Sequence, residues 1–313
     1  MFRFFFQRAS YIFFSLFCIT FLCSIILTFE APSYLQNFLS KNSSVTEIEK
    51  TKRLLGTAEK TLASSLELTL STLFLRPGYS HFQRSSILGS IKNAFTVTAS
   101  LMIPSLFLGI LGALFFAFVS FLDFPVLSPL ISFFLLSLGS ISDVVLILIL
   151  KLLLCTKQGF HLFPLHGWDS SGPLSYFKYA SVPILIMTLS LLCLYGPLFY
   201  QLLVSEKKAP YTKTLKAMGC PSQRIFFVYQ LKTASAPILN HIACLTPSYI
   251  IGGSILVENH FNIPGLGFLA YESCITGDKQ TILMLISLTA FFYLLLQEVL
   301  QVILPLLDKR TAL

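Results

Sequence analysis

Long apolar runs separated by short polar stretches set the rhythm of this chain. Six of them reach the roughly 20 residues that a helix needs to cross a hydrocarbon layer. They lie near 10–29, 96–121, 130–153, 178–203, 236–257 and 281–304. The third holds Asp143 in its interior and Lys151 near its end. Short alternating segments of about ten residues, the mark of a membrane barrel, are absent. The pattern therefore predicts an all-α polytopic membrane protein with about six transmembrane helices. Residues 30–95 are less apolar and mixed in charge. They suit a small cap of one or two amphipathic helices and equally a partly ordered linker.

Composition agrees with the runs. Of 313 residues, 55% are hydrophobic and 12% charged, against about 25% charged in soluble domains. The net charge of +8 fits basic residues retained beside the spans, and no zinc-finger spacing or aromatic–basic interleaving points to nucleic acid. Cys18, Cys23, Cys155, Cys193, Cys220, Cys244 and Cys274 are odd in number, form no C-x-x-C pair and lie mostly in apolar runs. They read as small hydrophobes. The first apolar stretch, Tyr11 to Phe29, is longer than a signal-peptide core and no A-x-A site follows. A retained first helix is expected.

Basic residues beside short loops orient the spans. With the N-terminus inside, Arg3, Arg8, the 204–235 segment, Lys309 and Arg310 all fall in the cytoplasm. The short outer segments then keep Lys157, Lys178 and Lys279. The region 30–95 is long enough to translocate whatever its charge. Both termini are expected to be cytoplasmic.

The 204–235 segment is a basic elbow. Tyr211, Leu215 and Met218 follow helical spacing as one apolar stripe, with Lys208, Lys213 and Lys216 off it. Gly219 stands where a helix would end in a left-handed residue, and Pro221 is placed to open the next helix. That second helix, 222–235, turns Ile225, Phe226 and Phe227 toward lipid or its neighbours. Such an elbow suits an interfacial helix resting on anionic headgroups and equally a lever docking on a cytoplasmic partner.

The elbow, "YTKTLKAMGCPSQRIFFVYQLKTASAPIL", resembles the cytoplasmic loop of the dipeptide/oligopeptide ABC-importer permeases. The likeness runs without a gap through Tyr211, Thr214, Ala217, Gly219, Arg224, Ile225, Leu231, Lys232, Ala234 and Pro237. "VENHFNIPGLG" resembles the family's V-E-x-x-F-x-x-P-G-L-G through Glu258, Phe261, Pro264, Gly265, Leu266 and Gly267. "SLFLGILGAL", "GSISDVVL", "YASVPILIMTLSL" and the tail "LLDKR" are similar to further patterns of that family. The likeness is strong over about 90–310 and weak over 30–90. Leu215 stands where the pattern has Ala, Met218 where it has Lys, Ser142–Asp143 where it has Pro-Ser, and Lys309 where it has Pro.

The resemblance implies a type I ABC importer transmembrane subunit, a binding-protein-dependent transport system inner membrane component. By domain it implies a first transmembrane helix at 1–30, an extracytoplasmic loop region at 31–90, and a type-1 transmembrane domain at 91–310 that includes the coupling loop 204–235. The implied activity is a permease subunit for di-/oligopeptides in the bacterial plasma membrane. Implied partners are a homologous second permease, two cytoplasmic ABC ATPase subunits, an extracytoplasmic peptide-binding protein and membrane lipid. No cofactor is expected on this chain itself; ATP and Mg would be bound by the partner subunits. The ATPase-coupling residues carried over are Tyr211, Thr214, Leu215, Ala217, Gly219 and Arg224. The external gate turn would be Glu258, Phe261, Pro264, Gly265 and Gly267.

No G-x-x-x-x-G-K-[ST], H-E-x-x-H or G-x-S-x-G occurs, so catalysis within the chain is not expected. His81, His161, His166, His241 and His260 are scattered, and no metal site is expected. An intramembrane acid marks a functional position by default. Asp143 is therefore expected to face a polar passage or a partner helix, with Asn240 and His241 placed to face the same passage. Pro264–Gly265 suits a type II turn with Gly265 at positive φ. Gly109, Gly112, Gly252 and Gly253 would let spans approach closely. The alternatives are an ion-coupled secondary transporter of small solutes and a same-family importer of nickel complexes or other non-peptide solutes.

Overall fold

The long apolar runs are helical over most of their described residues, because a backbone away from water must satisfy its own polar groups. The structure, a computed structural model, describes residues 2–29, 62–74, 79–80, 85–121, 139–156, 159–170, 172–307 and single positions within 130–137. Ten helices occur among the described residues, α1 Phe2–Phe29, α2 Leu62–Leu73, α3 Ile87–Phe121, α4 Asp143–Cys155, α5 Pro173–Lys207, α6 Pro210–Ala217, α7 Ser222–Arg224, α8 Leu231–Phe261, α9 Leu266–Thr276 and α10 Lys279–Leu307. A π-turn, Ile225–Gln230, joins α7 to α8. Two short strands, β1 Tyr79–Ser80 and β2 Ser85–Ser86, pair antiparallel. Most of the region expected as an outer cap, including 30–61, lies outside the described residues, as do His81, Lys157, Lys309 and Arg310.

Four helices are long and apolar enough to cross a membrane, at Ser10–Thr28, Ile87–Val119, Pro173–Lys207 and Lys279–Val299. Ser222–Pro247 and Gly252–Phe261 make a fifth if their 48° bend lies within one span. Pro247 explains the bend, since it removes a ladder hydrogen bond and crowds the preceding turn. The third expected span, 130–153, differs from expectation. Its described helix α4 has 13 residues, about 20 Å at 1.5 Å per residue, and is too short to cross alone. Ser142 takes an extended conformation (φ −61°, ψ 139°) and interrupts the helical path just before Asp143.

The chain divides into two compact units. In the first, 1–91 and 270–294, α2 turns its hydroxyls inward and its leucines outward. Ser65, Thr69 and Thr72 are buried while Leu62, Leu66 and Leu70 are exposed. The Ser24 hydroxyl donates to the Ser65 carbonyl at 2.9 Å. Such inversion suits an apolar surrounding, where a hydroxyl costs free energy unless it is paired and a leucine costs nothing. Asp278 opens α10, accepting from the Thr281 amide and hydroxyl at 3.3 and 2.8 Å.

The second unit, 92–269 and 295–313, has two apolar clusters stacked along α5. One joins Leu101, Leu146, Ile147, Ile186, Val257 and Phe261. The other joins Ala113, Leu191, Tyr195, Phe199, Phe226 and Ile238. Gly109 and Gly112 bring α3 onto α5. A Cβ at Gly109 would meet the Leu191 Cβ at 2.8 Å, and one at Gly112 would meet the Leu192 Cδ1 at 2.5 Å. Gly252 and Gly253 do not serve that purpose. Among the described residues nothing lies within 4 Å of a Cβ at Gly252, and Gly253 faces the Tyr249 ring of its own helix.

Gly109→Ala is expected to lower the thermal stability of the purified chain by about 1–3 kcal/mol, the usual cost of overpacking. Gly112→Ala should be tolerated, because the tip of Leu192 can rotate away. Equal melting of the two variants in detergent would show that this contact does not hold α3 to α5.

Candidate functional site

The elbow is a capped helix tied down on one face. α5 ends at Lys207, and Pro210 opens α6 at its first position, where a missing N–H costs nothing. At the other end the Gly219 amide donates to the Lys216 carbonyl at 3.0 Å and the Cys220 amide to the Leu215 carbonyl at 3.1 Å. These are the two bonds of a Schellman cap, with Gly219 at φ 79° as the sequence predicts. Thr212 is buried and its hydroxyl donates to the Glu206 carbonyl at 2.9 Å. The Tyr211 hydroxyl donates to Glu206 Oε2 at 2.6 Å. Fully buried Gln230 donates to Thr212 Oγ1 at 3.4 Å.

The expected apolar stripe is therefore shared between two duties. Tyr211 and Leu215 are half-buried against the chain itself, whereas Met218 is 73% exposed. Thr214, Ala217, Gly219, Lys213, Lys216 and Arg224 complete the outward face. Behind it Ile225 and Phe226 are buried, with the Phe226 ring 4.9 Å from that of Phe118; Phe227 is exposed. Thr212 and Gln230 carry no motif. Their signal is only that polar residues beside an apolar run need internal partners.

Residues 257–267 form a knot around a buried carboxylate. Glu258 is fully buried. Its Oε1 accepts from the Thr98 hydroxyl at 2.7 Å, and its Oε2 accepts from the Phe268 amide at 3.0 Å. The Leu266 amide donates back to Thr98 Oγ1 at 2.7 Å. A side chain at Gly265 would sit on the Glu258 carboxyl group, and one at Gly267 would meet the Ile255 backbone at 2.5 Å. The expected type II turn is replaced by a different one. Asn262, not Gly265, takes the positive φ of 53° and ends α8, and the Gly265 amide reaches the Ile263 carbonyl at 2.8 Å around Pro264. Gly265 is needed for close approach. Phe261 is buried in the apolar cluster beside it.

Lys151 and the 159–170 segment cover the same helix end. Lys151 Nζ donates to the His260 carbonyl at 2.5 Å and lies 5.2 Å from the centre of the Phe261 ring. A cation is stabilised there by the negative end of the helix. Nδ1 of His166 lies 3.5 Å from Lys151 Nζ, and the Gly167 amide donates to the Phe261 carbonyl at 2.9 Å. Burial, and then the Lys151 charge, push the His166 imidazole below its ordinary range. Sequence reasoning missed Thr98 and Lys151 as partners because they are far along the chain from the motif they complete.

Asp143 begins α4 on the surface and accepts from the Ser190 hydroxyl at 2.9 Å. The Tyr249 hydroxyl lies against Ser190 and donates to the Met187 carbonyl at 3.2 Å. Asn240 is exposed and His241 half-buried nearer the start of α8. No hydrogen bond joins either to Asp143 among the described residues.

Comparison with known proteins gives a family match. Residues 82–313 match the model of the binding-protein-dependent transport system inner membrane component. The chain is similar to the probable peptide ABC transporter permease protein y4tP of Sinorhizobium fredii, 26% identical over 47% of this chain and 47% of that one. It is similar to the oligopeptide transport system permease protein AppB of Bacillus subtilis, 29% identical over 32% and 31% of the two chains. To OppB of Escherichia coli, an oligopeptide transport system permease protein, it is 24% identical over 40% and 39%. Each match spans less than half of the relative's own length.

Removing the buried carboxylate by Glu258→Ala leaves the Phe268 amide without its acceptor. An orphaned buried donor costs about 1–3 kcal/mol, so hydrogen exchange at that amide should quicken by about tenfold or more. Gly265→Ala should produce the same loss of protection by displacing the carboxyl group. Unchanged exchange in both variants would show that the knot does not hold the turn.

Proposed function

Because the chain belongs to the family of binding-protein-dependent transport system inner membrane components, we propose that it is a permease subunit of an ABC importer for di-/oligopeptides. It forms the translocation passage with a homologous second permease. An extracytoplasmic peptide-binding protein delivers the cargo. Two cytoplasmic ABC ATPase subunits bind ATP and Mg and hydrolyse the nucleotide, and this chain binds no cofactor of its own. The peptide class rests on what the similar proteins are named for. Family membership also sets aside the ion-coupled carrier, for which the sequence offers no inverted repeat of broken helices.

The observation that carries the reading is the elbow. Its outward face, Thr214, Ala217, Met218 and Gly219, is exposed, while Thr212 and Tyr211 bind it to the end of α5 and Gln230 binds it to the start of α8. A push on α6 is thus delivered to two long apolar helices at once. In this reading ATP-driven closure of the ATPase pair moves α6 and tips the bundle between its outward- and inward-open states. Both termini and the elbow then lie in the cytoplasm, and the Glu258 knot lies on the outer side as a gate between delivery and passage. Asp143, Asn240 and His241 belong to the passage.

Ala217→Cys in the full chain should cross-link to an ATPase subunit in native membranes. Gly219→Val forces a β-branched residue into the left-handed region, at a cost of about 1–2 kcal/mol. It should reduce cargo-stimulated ATP hydrolysis by about tenfold while the complex still co-purifies. Cross-links from Ala217→Cys that reach lipid alone would overturn the lever and favour an interfacial helix.

A further inference from the structure

Asp143 stands where a charge is most expensive to keep. Its partner Ser190 is seventeen residues from either end of α5, Pro173–Lys207, about 26 Å from each. A bilayer crossed by α5 therefore has this pair near its middle. The hydrogen bond between them is exposed. Ser190 and Tyr249 adjoin it, Cys193 lies near the carboxylate, and the Tyr195 and Thr246 hydroxyls pair at 3.0 Å a turn below. This polar level falls where the two apolar clusters meet, and Tyr249 packs on both.

Among the described residues, no lysine or arginine is paired with that carboxylate. Residues 93–150, 179–206 and 233–278 contain neither lysine nor arginine, so every stretch that reaches this depth from α3, α4, α5 or α8 lacks one. Lys151 is two turns away along α4 and is committed to the His260 carbonyl. A charged group facing lipid at this level is strongly disfavoured. Water and a positive group from outside the chain would relieve that cost. Glu258 shows the contrasting solution, burial with a hydroxyl and a backbone amide supplied by the chain itself.

We infer that Asp143, with Ser190 and Tyr249 beside it, is a mid-membrane site for the cationic group of the transported solute, such as the terminal ammonium of a peptide. This rests on the passage proposed above and adds the cargo chemistry that the passage favours. An ammonium has three N–H donors to place. The second carboxylate oxygen, the Ser190 oxygen and the Tyr249 oxygen are acceptors on one small patch.

Cys193 is a native reporter beside the carboxylate. In membranes holding the assembled transporter it is treated with a cationic reagent, 2-aminoethyl methanethiosulfonate, or an anionic one, 2-sulfonatoethyl methanethiosulfonate. Modification is read on the Cys193 peptide by mass spectrometry. The cationic reagent should react faster, and its advantage should shrink by about tenfold in Asp143→Asn, the size expected for one nearby charge, and persist in Asp143→Glu. Butylammonium should slow labelling in the parent and not in Asp143→Asn. If neither charged reagent reaches Cys193, the passage reading itself fails. If both reach it and Asp143→Asn leaves their ratio unchanged, or butylammonium gives no protection, the passage stands and the cation site is lost. Loss of the second permease on purification of Asp143→Asn, with an unchanged ratio, would assign the charge to a subunit contact and overturn the proposal.

Discussion

A hydrocarbon surrounding supplies no hydrogen bonds, so each polar group placed there must find its partners within the protein. Glu258 meets that constraint in its severest form. A fully buried carboxylate is tolerable only where donors converge on it, and here they come from α3 and from the start of α9. The rest of the turn follows from making that convergence possible. Gly265 and Gly267 have no side chains because the carboxyl group and the Ile255 backbone occupy their space. Asn262 reverses the chain so that α9 can present its amides. Lys151 then settles over the carbonyls that α8 leaves open. The knot is one solved burial problem, and it fixes where α8 ends and α9 begins.

The elbow solves the opposite problem, how a polar segment stays rigid between apolar helices. Its backbone ends are closed by Pro210 and the Schellman pair at Gly219. Its inner face is closed by hydroxyl and amide side chains together with half-buried Leu215. Thr212, Tyr211 and Gln230 form a chain of bonds from the end of α5 to the start of α8. The π-turn Ile225–Gln230 belongs to the same device. Adding a residue to one turn shifts the phase of the helix, so that Ile225, Phe226 and Gln230 are all buried. Directional bonds resist sliding better than apolar contact alone, which suits a part proposed to transmit force.

Much of this was legible in the sequence, and the misses have physical reasons. Apolar length alone located the helices of five of the six runs, since length against bilayer thickness is a strong constraint. In the third run hydropathy does not register the backbone break at Ser142, which interrupts the helix without lowering apolarity much. Gly219 was readable because a left-handed residue after an amphipathic segment has one common cause. Gly265 was read for the wrong reason. Pro-Gly suggests a turn type locally, but what excludes a side chain there is Glu258, seven residues earlier. Thr98 lies 160 residues from the carboxylate it serves, and no local pattern encodes such a pairing. The stripe on α6 was right in spacing and incomplete in meaning, because periodicity reports which residues share a face and not which neighbour that face meets.

Two carboxylates of the second unit, Glu258 and Asp143, differ sharply in their surroundings. Glu258 and Asp143 both lie in apolar stretches, and a hydropathy profile treats them alike. Glu258 has a hydroxyl and a backbone amide aimed at it and no exposure; the fold has already satisfied it, and a ligand could only disturb it. Asp143 has one hydroxyl from Ser190 and an open side. Residues 93–150, 179–206 and 233–278, which include its neighbours on α4, α5 and α8, contain no lysine or arginine. A chain that can surround one buried acid with donors has no physical obstacle to doing so for a second. In the proposed passage, an acid left open in this way is a cost until something positive arrives, and that is the condition under which a cargo is held weakly and released.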